Sequence, residues 1–217
     1  MSSGQQPASE IDDALNTYHN KKTPAKEGER ADLVAFYEAA DRVLALAAEL
    51  ARVVTHAHQG AATRLYQGDW SQARKYFSLS RKYAAFADYD SPATGFGIHA
   101  YIPRVNRPLR LTQEQLEAHP EWRNFGTERG KHPPMRGWIV VPLVGSDGQN
   151  YGFIQASDRV EGDFTAQDQE NLVRLGELTS TALDSLEAVY LPDYYRKLQG
   201  ASRVEKEASR AYETDAP

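Results

Sequence analysis

The stretch GWIVVPLVGSDGQNYGFIQASD, residues 137–158, decides the fold. Its first part, Trp138–Val144, is apolar at every position, which is typical of a strand covered on both faces. A second strand is expected at Tyr151–Ser157, across the turn Ser146–Gly148. Pro142 cannot donate a hydrogen bond to a neighbouring strand, so it indicates a bulge or an unpaired side. The stretch therefore predicts an antiparallel β-hairpin.

Long amphipathic helices are predicted on both sides of this hairpin, over 31–55 and 166–190. Thr165 is expected to cap the second helix, with Asp168 in the first turn, where the helix dipole stabilises a carboxylate. The apolar stripes consist of Leu33, Phe36, Ala40, Val43, Leu44, Ala47, Leu50 and Val54, then Leu172, Leu175, Leu178, Ala182, Leu183, Leu186 and Val189. Both stripes are longer than one sheet face requires, so we expect a homodimer through these helices.

Shorter elements are predicted between the two helices. Thr112 and Gln115 form the pattern of a capping box, which starts a short helix through Ala118. The other predicted elements are strands near 60–66, 76–80 and 108–111, a turn at 68–69, a helical turn at 98–105 and an ordered loop at 119–136. No helix crossovers between parallel strands recur along the chain. The order of elements therefore predicts an α+β fold with an antiparallel sheet.

The expected domain organisation is a flexible leader at 1–28, one domain at 29–190 and a charged, helical tail at 191–217. The apolar runs are far shorter than the roughly 20 residues that a membrane-spanning helix needs. The N-terminus lacks the pattern of a secretory or transit peptide. We therefore expect a soluble, cytoplasmic protein without a membrane partner. The tail is too short for an output domain, so we expect action in trans.

The composition excludes several classes of function. The chain has no cysteine, which removes disulfides, cysteine-ligated zinc, thiol nucleophiles and thioether-attached chromophores. Its formal net charge is -5, which argues against a nucleic-acid partner because such binding depends on a basic surface.

The motifs of common enzymes are also missing. There is no Gly-x-Ser-x-Gly elbow and no glycine-rich phosphate loop followed by Lys-Ser or Lys-Thr. His56 and His58 have a spacing that suits two metal ligands on an extended backbone, but no third ligand lies nearby in the sequence. We therefore predict neither an enzyme nor a metal site.

Three stretches, GFGIHAYIPRVNRPL (95–109), MRGWIVVPLVGSDGQNYGFIQASD (135–158) and GDFTAQDQENLVRL (162–175), resemble GAF domains, particularly those of bacterial multidomain sensor kinases. The resemblance covers roughly residues 30–190. It implies a central antiparallel sheet with the first and last helices packed on one face. On the other face, it implies loops and short helices that close over a small-molecule pocket.

Departures from known GAF patterns narrow the choice of ligand. Phytochrome-like members attach a bilin through cysteine, and the free methionine sulfoxide reductases that resemble isolated GAF domains use catalytic cysteines. Both classes are disfavoured here. Cyclic-nucleotide-binding members carry an Asn-Lys…Phe…Asp-Glu signature, and the matching residues here are Asp158, Arg159, Phe164, Asp168 and Gln169. This degenerate match favours a structural ion pair, so neither cyclic nucleotide nor haem is a favoured ligand.

Aromatic residues cluster in the segments that the resemblance places around the pocket, as is typical of ligand sites. The expected ligand-binding residues are Phe77, Tyr83, Tyr89, Phe96, His99, Tyr101, Arg104, Trp122, Phe125, Trp138 and Asn150. The leading hypothesis is a standalone GAF-type sensory module that binds a small molecule and signals to a protein partner in trans through its terminal helices. The alternative is a ligand-free interaction or scaffold subunit of a larger assembly, with the pocket filled by its own aromatic side chains.

Overall fold

The computed structural model of the chain describes residues 27–66, 69–87, 95–124, 130 and 133–191. The chain divides into two compact units, residues 1–40 with 184–217 and residues 41–183, which are described separately below. Most of the predicted leader and nearly all of the predicted tail lie outside the described residues. The first helix begins at Glu27, inside the span predicted as leader.

The structure confirms the α+β fold with an antiparallel sheet. Its elements are α1 (Glu27–Val54), β1 (Ala57–Tyr66), β2 (Asp69–Leu79), a 3₁₀ helix (Arg81–Phe86), α2 (Gly97–Val105), β3 (Leu109–Leu111), α3 (Gln113–Ala118), β4 (Trp138–Val144), β5 (Asn150–Arg159) and α4 (Ala166–Tyr190). The five strands lie in the order β2-β1-β5-β4-β3, and each neighbouring pair is antiparallel.

The predicted hairpin is formed by β4 and β5, with Val140 opposite Gln155. Its turn is closed by the Gly148 amide, which donates to the Gly145 carbonyl at 2.9 Å. Pro142 pairs with Phe153, and the register shifts one residue later, between Leu143 and Val144. The irregularity that Pro142 indicated is therefore present but displaced along the strand.

The start of β2 was predicted wrongly. We expected a turn at 68–69 and a short strand at 76–80, but β2 begins at Asp69, which pairs with Tyr66 of β1. Arg74 and Lys75 interrupt the apolar alternation that marks a half-buried strand. They are accommodated nevertheless, because Arg74 forms an ion pair with Asp41 of α1 at 3.6 Å and the Lys75 ammonium lies over the Phe77 ring.

One face of the sheet packs against the helices within the unit 41–183. A methyl group added at Gly60 of β1 would lie 2.2 Å from the Ala48 carbonyl oxygen of α1. In the same way, one added at Gly176 of α4 would lie 3.0 Å from the side chain of Val141. The two helices and the sheet thus lie as close together as glycine permits at these positions. We call this side of the sheet the helix face.

The opposite side of the sheet is covered by α2 and α3, and we call it the pocket face. A buried cluster of apolar side chains joins these helices to β4 and β5. It consists of Ile98, Ile102, Leu116, Met135, Trp138, Val140 and Phe153. The predicted capping box begins α3, because Thr112 Oγ1 accepts from the Gln115 amide and Gln115 Oε1 accepts from the Thr112 amide.

The N-terminus of α4 is capped as predicted. Thr165 Oγ1 accepts from the Asp168 amide at 3.1 Å, and Asp168 Oδ2 accepts from the Thr165 amide at 2.7 Å. These two bonds satisfy backbone donors that a helix leaves unpaired at its start.

Both long helices carry apolar side chains that do not pack on the sheet. In the unit 41–183, the exposed ones are Leu46, Leu50 and Val53 of α1 and Leu178 of α4, each between 43% and 65% exposed. Leu50 and Leu178 belong to the apolar stripes read from the sequence, which are therefore only partly buried.

The unit formed by residues 1–40 and 184–217 is described at 27–40 and 184–191. Leu33 and Phe36 of α1 are fully buried, and the rings of Phe36 and Tyr37 lie 5.5 Å apart. At the other end of the unit, the Leu191 amide donates to the Glu187 carbonyl at 2.8 Å, directly after α4 ends.

Candidate functional site

A cavity lies on the pocket face between β1, β2, β4 and β5. Its lining residues are Gln59, Gly60, Ala61, Phe77, Met135, Trp138, Gln155, Ala156 and Ser157. The space is just large enough for one water molecule. No lining residue among those that the structure describes is acidic, and most of the lining is apolar.

The carboxamide of Gln155 is the central polar group of the cavity. Its Oε1 accepts from Trp138 Nε1 at 2.8 Å and lies 3.2 Å from His99 Nε2. An indole nitrogen can only donate, so this contact fixes which end of the carboxamide is the oxygen. The Nε2 amino group therefore lies on the other side. Gln155 itself is only 7% exposed.

His99 is held by aromatic rings on the pocket face. It stacks on Phe153 with ring centroids 5.9 Å apart, and it meets Trp138 edge-on at 5.6 Å. Because Gln155 Oε1 is an acceptor, His99 Nε2 must be the donor in this contact and carries the proton. His99 and Trp138 together orient Gln155.

Lys75 is a charged residue of the pocket face that the sequence analysis missed. It lies two residues before Phe77 on β2, and its Nζ is 4.4 Å from the centre of the Phe77 ring. Burial lowers the pKa of Lys75 to about 8, because the charged ammonium loses contact with water. The period of two along a strand, counted back from Phe77, could have identified this residue.

A second polar cluster closes the end of β5. Asp158 Oδ2 accepts from Tyr83 Oη at 2.6 Å and from Lys82 Nζ at 2.5 Å. Burial raises the pKa of Tyr83 to about 12, and the hydrogen bond to Asp158 adds to this effect. Asp158 has a φ of 59°, a left-handed conformation that costs free energy for a residue other than glycine. The cluster ties the 3₁₀ helix to the sheet.

The ion pair that the degenerate cyclic-nucleotide signature suggested is present. Arg159 Nε donates to Asp168 Oδ2 at 2.9 Å, which links the end of β5 to the first turn of α4. The pKa of Asp168 is lowered: burial opposes this shift, and the hydrogen bonds from Thr165 and Arg159 outweigh it.

The expected ligand-binding residues lie in different parts of the structure. Phe77 and Trp138 line the cavity, and His99 reaches it through Gln155. Tyr101 and Trp122 are partly buried against the apolar cluster beneath α2. Tyr83 instead belongs to the Asp158 cluster at the end of β5.

The remaining candidates lie elsewhere or cannot be placed. Arg104 is exposed, and its Nη2 donates to Glu121 at 2.7 Å. Phe96 is half exposed, whereas Asn150 donates to Asn106 at the hairpin end of β5. Tyr89 and Phe125 are outside the described residues. Sequence reasoning missed Gln59, Met135, Gln155 and Ser157, which line the cavity.

The two histidines that were considered as metal ligands have different surroundings. His56 is exposed with a φ of 50°, and His58 Nδ1 hydrogen-bonds to Ser80 Oγ at 2.8 Å. Within the described ranges, no group of three or more His, Cys, Asp or Glu side chains lies close enough to hold a metal ion. The same ranges contain no helix with both the length and the apolarity to span a bilayer.

Comparison with known sequences identifies one family. The family model described as "GAF domain" matches residues 36–184, which is more than half of the chain. No curated protein sequence matches the chain significantly.

Solved structures with the same fold include three GAF-type proteins. The GAF domain of the cyanobacteriochrome TePixJ is 14% identical, with a TM-score of 0.54 over 68% of this chain and 90% of its own. A GAF domain from a phosphoenolpyruvate-protein phosphotransferase of Coxiella burnetii is 13% identical, with a TM-score of 0.53 over 75% and 94%. The type II free methionine-R-sulfoxide reductase of Thermoplasma acidophilum is 15% identical, with a TM-score of 0.52 over 70% and 96%. At these identities, the likeness concerns the fold alone.

Proposed function

We propose that the chain, which belongs to the GAF domain family, is a sensory module. In this proposal it binds a small molecule on the pocket face and signals in trans through its terminal helices. GAF domains are generally sensory or regulatory rather than catalytic, although one structural neighbour is a reductase. The ligand and the signalling partner go beyond what family membership establishes.

The observation that carries this proposal is the orientation of Gln155. Ligand sites are typically apolar with a few polar groups that are held in place and orient the ligand. Here Trp138 and His99 hold the Gln155 carboxamide in one orientation at the cavity that Gln155 lines, and most of the remaining lining is apolar. This arrangement supports ligand binding at the cavity.

A route from the cavity to a terminal helix runs along β5. Gln155 and Arg159 are four residues apart on this strand, and Arg159 is ion-paired with Asp168 in the first turn of α4. A ligand that displaces β5 would therefore act on α4 through a charge-assisted hydrogen bond, which is stronger than a neutral one. This route supports signalling through the helices.

The helices also offer a surface for a homodimer. Leu46, Leu50 and Val53 follow one another at four- and three-residue steps on α1, so they form one exposed apolar stripe. Exposed apolar stripes of this kind commonly mark protein contacts.

The dimer is tested by light scattering of the full chain and of Leu50→Glu. We expect a dimer for the native chain and a monomer for the variant, because a buried unpaired carboxylate opposes association. Val160→Glu is the matched control, since Val160 is also an exposed apolar residue but lies outside the helices. A native chain that stays monomeric at high concentration contradicts the dimer.

Ligand binding is tested by native mass spectrometry of the protein purified from its own source. The sensor proposal predicts a stoichiometric small molecule that denaturation releases. A protein that carries no small molecule but retains a macromolecular partner would contradict the sensor proposal and favour the scaffold alternative.

The scaffold alternative is favoured by one specific observation. The cavity has room for only one water molecule, because Phe77, Met135 and Trp138 fill the space around it. A larger ligand must therefore move these side chains. If the same mass spectrometry finds no bound small molecule, the functional state is the one in which the protein's own side chains fill the pocket.

A further inference from the structure

Met135 combines two properties that make it a candidate for oxidation. The chain has no cysteine, and its only methionine other than Met135 is Met1. Met135 therefore carries the only sulfur atom within the span that matches the GAF family. It also lines the cavity of the pocket face, which is just large enough for one water molecule. A single oxygen atom added to this side chain thus has a space of matching size nearby.

Met135 is fixed against the sheet by the residues on both sides of it. The Pro134 carbonyl accepts from Gln59 Nε2 of β1 at 2.7 Å. On the other side, the Arg136 amide donates to Ser157 Oγ of β5 at 3.0 Å. The Met135 side chain is only 6% exposed, whereas Pro134 and Arg136 are both exposed. Met135 is thus a buried residue between two residues that lie at the surface.

We propose that Met135 is a modification site, at which a hydroperoxide oxidises the thioether to methionine sulfoxide. The sulfur lone pair attacks the terminal peroxide oxygen, so an S–O bond forms as the O–O bond breaks. The sulfur loses two electrons to the leaving oxygen, which also takes the proton of the transferred hydroxyl group and departs as water or an alcohol. Reductases can reverse this change, so it can act as a switch. The inference goes beyond the proposed sensor function and needs no bound ligand.

Oxidation adds a polar oxygen to the apolar cluster that holds α2 and α3 on the sheet. Met135 belongs to this cluster together with Trp138. A polar group buried among apolar side chains costs free energy. The cavity wall also contains polar groups that already have partners: Gln155 Oε1 accepts from Trp138 Nε1, and the Ser157 hydroxyl donates to the Gly137 carbonyl. The sulfoxide oxygen competes with these contacts, so oxidation loosens α2 and α3.

The first test is treatment of the folded, full chain with hydrogen peroxide, with N-acetylmethionine amide in the same solution as a reference. Mass spectrometry of the tryptic peptide that contains Met135 gives the rate of oxygen addition. A protein of ordinary stability is globally unfolded for less than about a thousandth of the time. If oxidation required global unfolding, Met135 would react more than about a thousandfold more slowly than the reference. We expect a smaller difference, and a larger one overturns the proposal.

The second test is amide hydrogen exchange of the oxidised chain. We expect exchange in α2 to be at least about tenfold faster after oxidation, because the cluster beneath this helix is weakened. Exchange in α4 should not change, since α4 lies on the helix face. Treatment with the two stereospecific methionine sulfoxide reductases should restore the original exchange. Complete oxidation of Met135 without a change in α2 overturns the proposal.

Two substitutions assign the effect to this sulfur atom. Met135→Leu is the matched control, because leucine keeps nearly the same volume and cannot accept an oxygen atom. Peroxide should therefore leave α2 exchange unchanged in this variant, and the same acceleration as in the native chain would overturn the proposal. Met135→Gln places a polar side chain there without peroxide, so the untreated variant should show the fast exchange of the oxidised chain. Where Met135→Gln does not fold, the comparison of the native chain with Met135→Leu decides.

Discussion

The two faces of β5 differ in chemistry although they alternate residue by residue. On the helix face, Ile154 and Ala156 are fully buried apolar side chains. On the pocket face, Gln155 and Ser157 are also buried but polar. Because buried polar groups stabilise a fold less than apolar groups of the same size, residues 154–157 of β5 contribute more to stability on the helix face than on the pocket face.

Ile154→Ala should give the largest effect, since it removes a fully buried side chain from the helix face. We expect the free energy of unfolding to fall by about 3 to 4 kcal/mol, from lost burial and the cavity left behind. Urea unfolding at pH 7 measures it. The control Val160→Ala, on an exposed side chain after β5, should change stability by less than about 0.5 kcal/mol. A loss below about 1 kcal/mol for Ile154→Ala would contradict the assigned difference between the faces.

Lys75→Met should act in the opposite direction, because Lys75 is a partly buried charge on the pocket face. Its pKa is about 8 in the folded protein and 10.5 in a model compound. The folded state therefore binds fewer protons between these values, so native stability rises with pH there and is lowest below pH 8. We expect the variant to be more stable at pH 7 by about 2 kcal/mol, after allowing for partial contact with solvent.

This advantage of Lys75→Met should shrink as the pH rises from 8 to about 10.5. Urea unfolding across this range gives the dependence. Lys75→Arg is the matched control: its charge persists over the whole range, so this variant lacks the rise in stability with pH. A difference between native chain and Lys75→Met that does not vary with pH would show that Lys75 is not titrating in this way.

Ser157→Ala gives the smallest of these effects. The substitution removes two hydrogen bonds, from the Arg136 amide and to the Gly137 carbonyl. We expect a loss of about 1 kcal/mol by urea unfolding, which is the usual net worth of such contacts. If Ser157→Ala cost as much as Ile154→Ala, the pocket face would be as important to stability as the helix face.

The elements that were predicted correctly depend on signals that are local in the sequence. The capping box of Thr112 and Gln115 and the cap of Thr165 with Asp168 each span three residues. The hairpin likewise follows from a turn between two apolar runs. Such patterns can be read without knowing which distant segments meet.

The site was harder to predict because its key contacts join distant residues. Gln155 is oriented by Trp138, 17 positions away, and by His99, 56 positions away. An aromatic residue was an obvious candidate by type, whereas a glutamine in a strand carries no marker of its role. Arg104 and Asn150 were expected to bind the ligand. In the structure, Arg104 donates to Glu121 and Asn150 donates to Asn106. Composition identifies candidate residues, but only the fold brings them together.

The central claim is that a small molecule binds the pocket face beneath α2. Amide hydrogen exchange tests it most directly, by comparing the protein purified from its own source with the same protein after unfolding and refolding without small molecules. We predict faster exchange in α2 (Gly97–Val105) after refolding, because the bound molecule that stabilised this helix has been removed. Unchanged exchange in α2, together with unchanged mass in native spectra, would contradict the claim.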